Sequence, residues 1–183
     1  MTELHQDIAR VMIAEKELKA SVKSMAKKLD KLYAGRVPVV ICVLKGSIMF
    51  CAELTKNMKT DMELDFMSVS SYGAGTKSSG EIKILKDVST DIRGRDVLIV
   101  EDIIDSGNTL YALKKLLMER APSSLNIVTL LDKPERREAP MEPDYTCFVI
   151  EDEFVIGYGL DYAEKYRNLP YIGVLKPCVY ENN

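Results

Sequence analysis

The 183-residue chain has no tryptophan, one histidine and four cysteines. With His5 alone, and far in sequence from every other polar cluster, histidine acid–base chemistry and Cys/His zinc sites are excluded as organising themes. Cys42, Cys51, Cys147 and Cys178 show no C-x-x-C spacing, and three of the four sit in apolar surroundings, as small core residues of a reducing compartment do. No apolar run approaches the ~20 residues of a membrane helix. The opening M-T-E-L-H-Q-D-I-A-R lacks the apolar core of a secretion signal. There is no basic excess either: 25 Lys and Arg against 28 Asp and Glu give a net charge of −3. That balance disfavours nucleic-acid binding driven by phosphate attraction. The expectation is a cytoplasmic enzyme or binding protein, a single domain over residues 1–183, with neither membrane nor nucleic acid as partner.

The apolar pattern alternates between strand and helix. Residues 4–34 read as helical, with Ile8, Val11, Met12, Leu18, Val22, Met25, Leu29 and Leu32 at three- and four-residue steps. A break near Lys19–Ser21, capped by Ser21, is expected. Pro38–Leu44 is a short β-branched run, followed by Lys45-Gly46-Ser47 and a helix over Ile48–Met58. Met62–Val69 and Glu81–Leu85 read as strands on either side of a Gly/Ser-rich loop over residues 70–80, too polar to pack, of the kind that often serves as a lid. Further strands are expected at Leu125–Leu131, Tyr145–Ile150 and Ile172–Leu175. Together these predict an α/β fold with a mostly parallel central sheet flanked by helices. Ligands in such folds bind beyond the C-terminal strand ends. Lys45, the acids from Glu101 to Asp105, and Asp132-Lys133 stand at those ends and should meet in space.

Val97–Leu110 carries the densest chemistry, V-L-I-V-E-D-I-I-D-S-G-N-T-L. A buried strand runs into Glu101 and Asp102, then Asp105, then a tight turn that opens a helix. A helix start after a strand suits a phosphate, because its first N–H groups lack intrahelical partners. Three acids beside it would repel a bare phosphate. They suit a ligand that also brings sugar hydroxyls, and a metal that balances charge.

The stretch E-D-I-I-D-S-G-N-T resembles the phosphoribosyl pyrophosphate motif of type I phosphoribosyltransferases. Four further segments, L-K-G-S at Leu44–Ser47, S-Y-G at Ser71–Gly73, L-L-D-K-P at Leu130–Pro134 and F-V-I-G-Y-G-L-D-Y at Phe154–Tyr162, narrow the resemblance to the hypoxanthine–guanine, or 6-oxopurine, branch. Tyr166-Arg167-Asn168-Leu169 follows in the family's order, so the likeness runs from about residue 38 to 177.

The resemblance implies a small hood built from the N- and C-terminal segments, above a core with a flexible loop. It implies transfer of phosphoribose from phosphoribosyl pyrophosphate to hypoxanthine or guanine, giving IMP or GMP plus pyrophosphate, with Mg²⁺ as cofactor. Asp105, Ser106, Gly107, Asn108 and Thr109 would hold the 5′-phosphate. Glu101 and Asp102 would grip the ribose hydroxyls, partly through Mg²⁺, and Asp161 would bind Mg²⁺ through water. Asp105 would also take the proton from the purine as general base. Lys133 would donate to the 6-oxo group, Phe154 would stack on the base, and the Val155 backbone would meet its exocyclic edge, with Asp161 nearby. Lys45, Gly46 and Arg167 would bind pyrophosphate, with a non-proline cis peptide at Leu44-Lys45. Ser71 and Tyr72 would close as a lid that excludes water.

Family members are usually dimers or tetramers, and Tyr33–Val37 with exposed apolar helix positions would supply an interface. Lys133 argues against adenine, and xanthine stays open. From another class, the same fold serves proteins that sense phosphoribosyl pyrophosphate and bind RNA or DNA. The net charge and the filled base-binding block argue against that role. The charged run Glu135–Glu138 receives no function.

Overall fold

The computed structural model describes residues 5–71 and 82–181. The chain begins with β1 (Ile8–Ile13) and α1 (Glu15–Leu32). Next come β2 (Val39–Leu44), α2 (Ile48–Asn57), β3 (Glu63–Ser71), β4 (Ile82–Lys86), β5 (Asp96–Ile104), α3 (Asn108–Met118) and β6 (Ser124–Asp132). A 3-10 turn at Pro134–Arg136 precedes β7 (Tyr145–Val149), β8 (Val155–Ile156), β9 (Ile172–Leu175) and the one-turn α4 (Pro177–Tyr180).

The main sheet has the order β4-β3-β2-β5-β6-β7. All its pairs are parallel except β3–β4 at the edge. Alternation along the central strands explains why helices cover both faces. Val40, Cys42, Leu98 and Val100 face α1 and α2, where Leu18, Val22, Leu29, Phe50 and Leu54 close the core. Val39, Ile41, Val97 and Ile99 face Leu110, Leu113 and Leu117 of α3. Strand order reverses between β2 and β5, so their C-terminal ends frame the crevice where such sheets bind ligands.

A second, three-stranded antiparallel sheet, β1-β9-β8, joins segments from both ends of the chain. Its buried side rests on Ile8, Ile156, Tyr171 and Leu175.

The first 30 residues depart from expectation. Residues 8–13 form a strand, and the helix after it is unbroken from Glu15 to Leu32. Ile8 and Ile13 are buried while Val11 is 40% exposed, so the apparent helical spacing was the edge of a strand whose partner, β9, lies far along the chain. Ser21 is not a cap. It sits mid-helix and donates to the Cys147 carbonyl at 3.5 Å. The helix starts instead at Ala14, whose N–H donates to the Glu17 carboxylate at 3.0 Å. Tyr33 is likewise no interface residue. It is fully buried, donates to the Val97 carbonyl at 3.4 Å and accepts from Asn126 at 3.3 Å. Of the cysteines, Cys42 and Cys51 are buried, Cys147 is half-buried and Cys178 is exposed.

Candidate active site

Three segments converge on the crevice. The first is the end of β2, where the Leu44-Lys45 peptide is cis and Gly46 follows. A Cβ at Gly46 would lie 1.6 Å from an Asp102 carboxylate oxygen, so only glycine lets β5 approach this closely. The second is the end of β5. The third is the turn 157–159, where Gly159 has φ +107° and a Cβ would lie 2.0 Å from the Gly46 carbonyl oxygen. Lys45, Gly46, Asp102 and the segment leading to Arg167 are therefore brought together.

Glu101 and Asp102 are partly open to the crevice yet surrounded by protein atoms. Burial and the Asp102 charge push the Glu101 carboxyl well above its ordinary range. Burial also raises Asp102, against the pull of the Glu101 side chain and the Ile103 N–H, which donates to Asp102 at 2.7 Å. Among the described residues neither acid forms an ion pair, and the more distant Arg167 is the charge that pulls on Asp102. That fits a divalent cation that takes oxygen donors and keeps water and ligand oxygens in its shell. Among the described residues no group of three or more His, Cys, Asp or Glu side chains would hold a metal unaided. The donor set here is two carboxylates, which a phosphate-bearing ligand would complete.

At the start of α3, Gly107 rather than Asp105 or Ser106 is the N-cap, with φ +80° and no side-chain cap bond. A Cβ there would meet Arg137 and Ala139 at 3.1 and 3.3 Å. A cavity of about 130 Å³ opens at this helix start, lined by Glu101, Asp105, Ser106, Gly107 and Thr109 with apolar neighbours. Asn108 sits beside it, its amide donating to Glu138 at 2.7 Å. The Ser106 hydroxyl accepts from the Asn108 N–H at 3.5 Å, and the helix start with its dipole suits an anion.

A larger cleft of about 500 Å³ adjoins it. Its walls include Ile103, Lys133, Phe154, Val155, Leu160, Asp161 and Tyr180. Lys133 is only 7% exposed and donates to the Glu153 carbonyl at 2.7 Å, with Asp152 at 3.5 Å. Phe154 is stacked on Tyr180, ring centres 4.8 Å apart, and meets Tyr162 edge-on. Asp105 lines both cavities. It is the one ionisable group shared by the two, and its carboxylate lies 2.8 Å from Arg136 Nε.

Several participants were not foreseen. Arg136 lines the large cleft and also approaches Asp152 at 3.4 Å. Arg137 is buried, donating to the Asp132 carboxylate and to the Asp105 carbonyl. Asp132, which the sequence placed at a strand end without a site role, is half of a buried ion pair. The run Glu135–Glu138 carries a signal for this place: a block of charges directly after a parallel strand falls at the ligand end of the sheet. Tyr180 carried no local signal. Asp161 reaches the cleft wall, its carboxylate 2.8 Å from Arg167. Of the expected lid residues, Ser71 ends β3, while Tyr72 lies outside the described residues, with most of the loop 70–80.

Comparison with known proteins agrees with this geometry. A family model described as the phosphoribosyl transferase domain matches residues 12–163. The chain is 55% identical over 179 residues to a hypoxanthine-guanine phosphoribosyltransferase of Streptococcus pneumoniae, covering 98% of this chain and 99% of that one. Its Bacillus subtilis counterpart is 54% identical over the same shares. The crystal structure of a Staphylococcus aureus hypoxanthine phosphoribosyltransferase superposes with a TM-score of 0.95 at 49% identity, covering 98% of each chain. The protein therefore belongs to the phosphoribosyltransferase family, within the group of the hypoxanthine-guanine phosphoribosyltransferases.

Proposed function

We propose that this chain transfers the 5-phosphoribosyl group of phosphoribosyl pyrophosphate to N9 of hypoxanthine or guanine, releasing pyrophosphate and forming IMP or GMP. The observation that carries this reading is the position of Asp105, on the wall between an aromatic-sided cleft and the start of α3. A base in the first and a phosphate in the second would place the sugar carbon between them.

In this reading the N–H groups of residues 106–109, with the Ser106 and Thr109 hydroxyls, bind the 5′-phosphate. Glu101 and Asp102 orient the ribose hydroxyls. Glu101, Asp102 and Asp161 would hold magnesium, which would neutralise the ligand's negative charge. Lys45, the Gly46 backbone and Arg167 hold the pyrophosphate. Phe154 packs on the purine and the Val155 backbone meets its edge. Lys133 donates to the 6-oxo oxygen; adenine offers an amino group there, which cannot accept from an ammonium.

N9 attacks C1′, the bond from C1′ to the pyrophosphate oxygen breaks with its electron pair leaving on pyrophosphate, and Asp105 takes the proton from N7 of the base. Catalysis rests on positioning and on charges set before reaction. Ser71 and Tyr72 would exclude water from the electron-poor sugar carbon.

Exposed Val37, Ile48, Met49 and Leu64 support a homodimer or homotetramer as the working state. No helix among the described residues is long and apolar enough to cross a membrane, in keeping with a cytoplasmic enzyme. None of the relatives named above is named as a regulator, so a sensing role has no support from them.

Turnover with hypoxanthine, guanine, xanthine and adenine, each with and without magnesium, tests the assignment. Activity on hypoxanthine or guanine, magnesium-dependent and absent with adenine, is expected. Silence on all four would overturn it.

A further inference from the structure

Glu164 stands between the two cations assigned to pyrophosphate. Its Oε2 lies 3.0 Å from Lys45 Nζ and 3.4 Å from Arg167. Lys45 directly follows β2 and Arg167 comes from the segment before β9, so a single carboxylate oxygen bridges cations from two parts of the site.

The backbone that presents it is unusual. Ala163, Glu164 and Tyr166 have φ of +50°, +63° and +74°, a left-handed conformation that few non-glycine residues adopt and that clusters at ligand sites. The Glu164 N–H is tied to Asp161 at 2.9 Å. Arg167 does not need Glu164 to stay in place, since Asp161 at 2.8 Å and the Gly159 carbonyl at 2.8 Å already hold its guanidinium. Among the described residues Glu164 is the one ion-pair partner of Lys45.

Both Lys45 and Glu164 remain two-thirds exposed, at 67% and 66%. A charge-assisted hydrogen bond this open to solvent exchanges readily for a better anion. Hydrogen bonds from Lys45 and Arg167 hold the Glu164 carboxyl below its ordinary range.

We propose that Glu164 is an internal stand-in for pyrophosphate: it neutralises Lys45 and Arg167 in the empty site, yields to a pyrophosphate-bearing ligand, and returns as pyrophosphate leaves. This rests on the pyrophosphate reading of Lys45 and Arg167. Its consequence is selective. Glu164 opposes ligands that carry pyrophosphate and speeds their departure, and leaves a nucleoside monophosphate, bound by its phosphate at α3, untouched.

The test is calorimetric titration of the whole chain and of Glu164→Gln with inorganic pyrophosphate plus magnesium, and separately with GMP. Glu164→Gln should bind pyrophosphate about threefold more tightly, the scale of an exposed ion pair, with GMP affinity unchanged. The gap should close near ~1 M salt, where the Debye length falls to about 3 Å. Glu164→Ala should act in the same direction, with circular dichroism matching the parent. Unchanged or weaker pyrophosphate binding in both variants, or equal tightening of GMP, would overturn the proposal. The double variant Lys45→Met, Arg167→Met separates the two layers. If it binds pyrophosphate as the parent does, the subsite reading itself fails, whatever Glu164 does.

Discussion

Arg137→Met should destabilise the protein more than any exposed substitution near the site. Arg137 and Asp132 side chains are 8% and 7% exposed, and their ion pair sits beside Asp105. The guanidinium also donates to the Asp105 carbonyl. Methionine fills the space of the stem but leaves the Asp132 carboxylate buried without a cation. Breaking one side of such a pair costs about 3–5 kcal/mol. For a chain of this size that corresponds to a fall in Tm of roughly 6–20 °C. Asp132→Leu combined with Arg137→Met removes both charges and should recover most of the loss, since apolar replacement of a buried pair is often neutral. Thermal unfolding followed by circular dichroism measures all three proteins. Activity, read well below the lowered Tm, should still fall, because Asp105 and Lys133 flank the pair. A single variant within 2 °C of the parent, or a double variant as unstable as the single one, would refute this account of the strand end.

Glu101→Gln should trade activity for stability. The folded-state pKa of Glu101 is raised, so the folded protein holds a proton that the unfolded chain releases. Stability from this group is present below the ordinary carboxylate range and is lost as pH rises toward the raised folded value. The glutamine variant should therefore have a higher Tm than the parent at neutral pH, the difference vanishing near pH ~4, while turnover drops; a lower Tm at neutral pH would contradict the burial argument. Gly46→Ala should force the Asp102 carboxylate aside, because the new Cβ would sit 1.6 Å from it. A rise of about tenfold or more in KM for phosphoribosyl pyrophosphate is expected, about 1.4 kcal/mol of lost binding, and steady-state kinetics decides it. Gly159→Ala, with a Cβ 2.0 Å from the Gly46 carbonyl and φ +107°, should cost about 1–3 kcal/mol of stability, read by urea unfolding.

The central strands and helices were legible because their signals are local. Pro38–Leu44, Ile48–Met58 and Leu125–Leu131 each match an element within one or two residues at either end. β1 was not legible, since its identity depends on β9, some 160 residues away, and Ile8-Ala9-Arg10-Val11 has no intrinsic preference strong enough to outweigh the helical spacing of Ile8, Val11 and Met12. That Gly46, next to Lys45, meets Asp102, and that Asp105 and Lys133 line one cleft, followed from their places at the C-terminal ends of strands. The partners of those residues did not. Arg136 on Asp105, Arg137 on Asp132 and Glu164 on Lys45 are long side chains reaching from turns, and no periodicity encodes where such a side chain ends. The N-cap shows the same limit: Asp105 and Ser106 have the right chemistry, yet Gly107 takes the position because its positive φ lets the chain pass Arg137 and Ala139.

Asp105→Asn tests the central claim most directly. The amide keeps the shape of the wall between the two cavities and its hydrogen-bonding reach, but it accepts no proton. Binding of GMP and of phosphoribosyl pyrophosphate by calorimetry should stay within a few-fold of the parent, while kcat falls by about 10²–10⁴, the usual contribution of a general base. A variant with near-normal kcat would contradict the role assigned to Asp105, and with it the reading of the two cavities as parts of one active site.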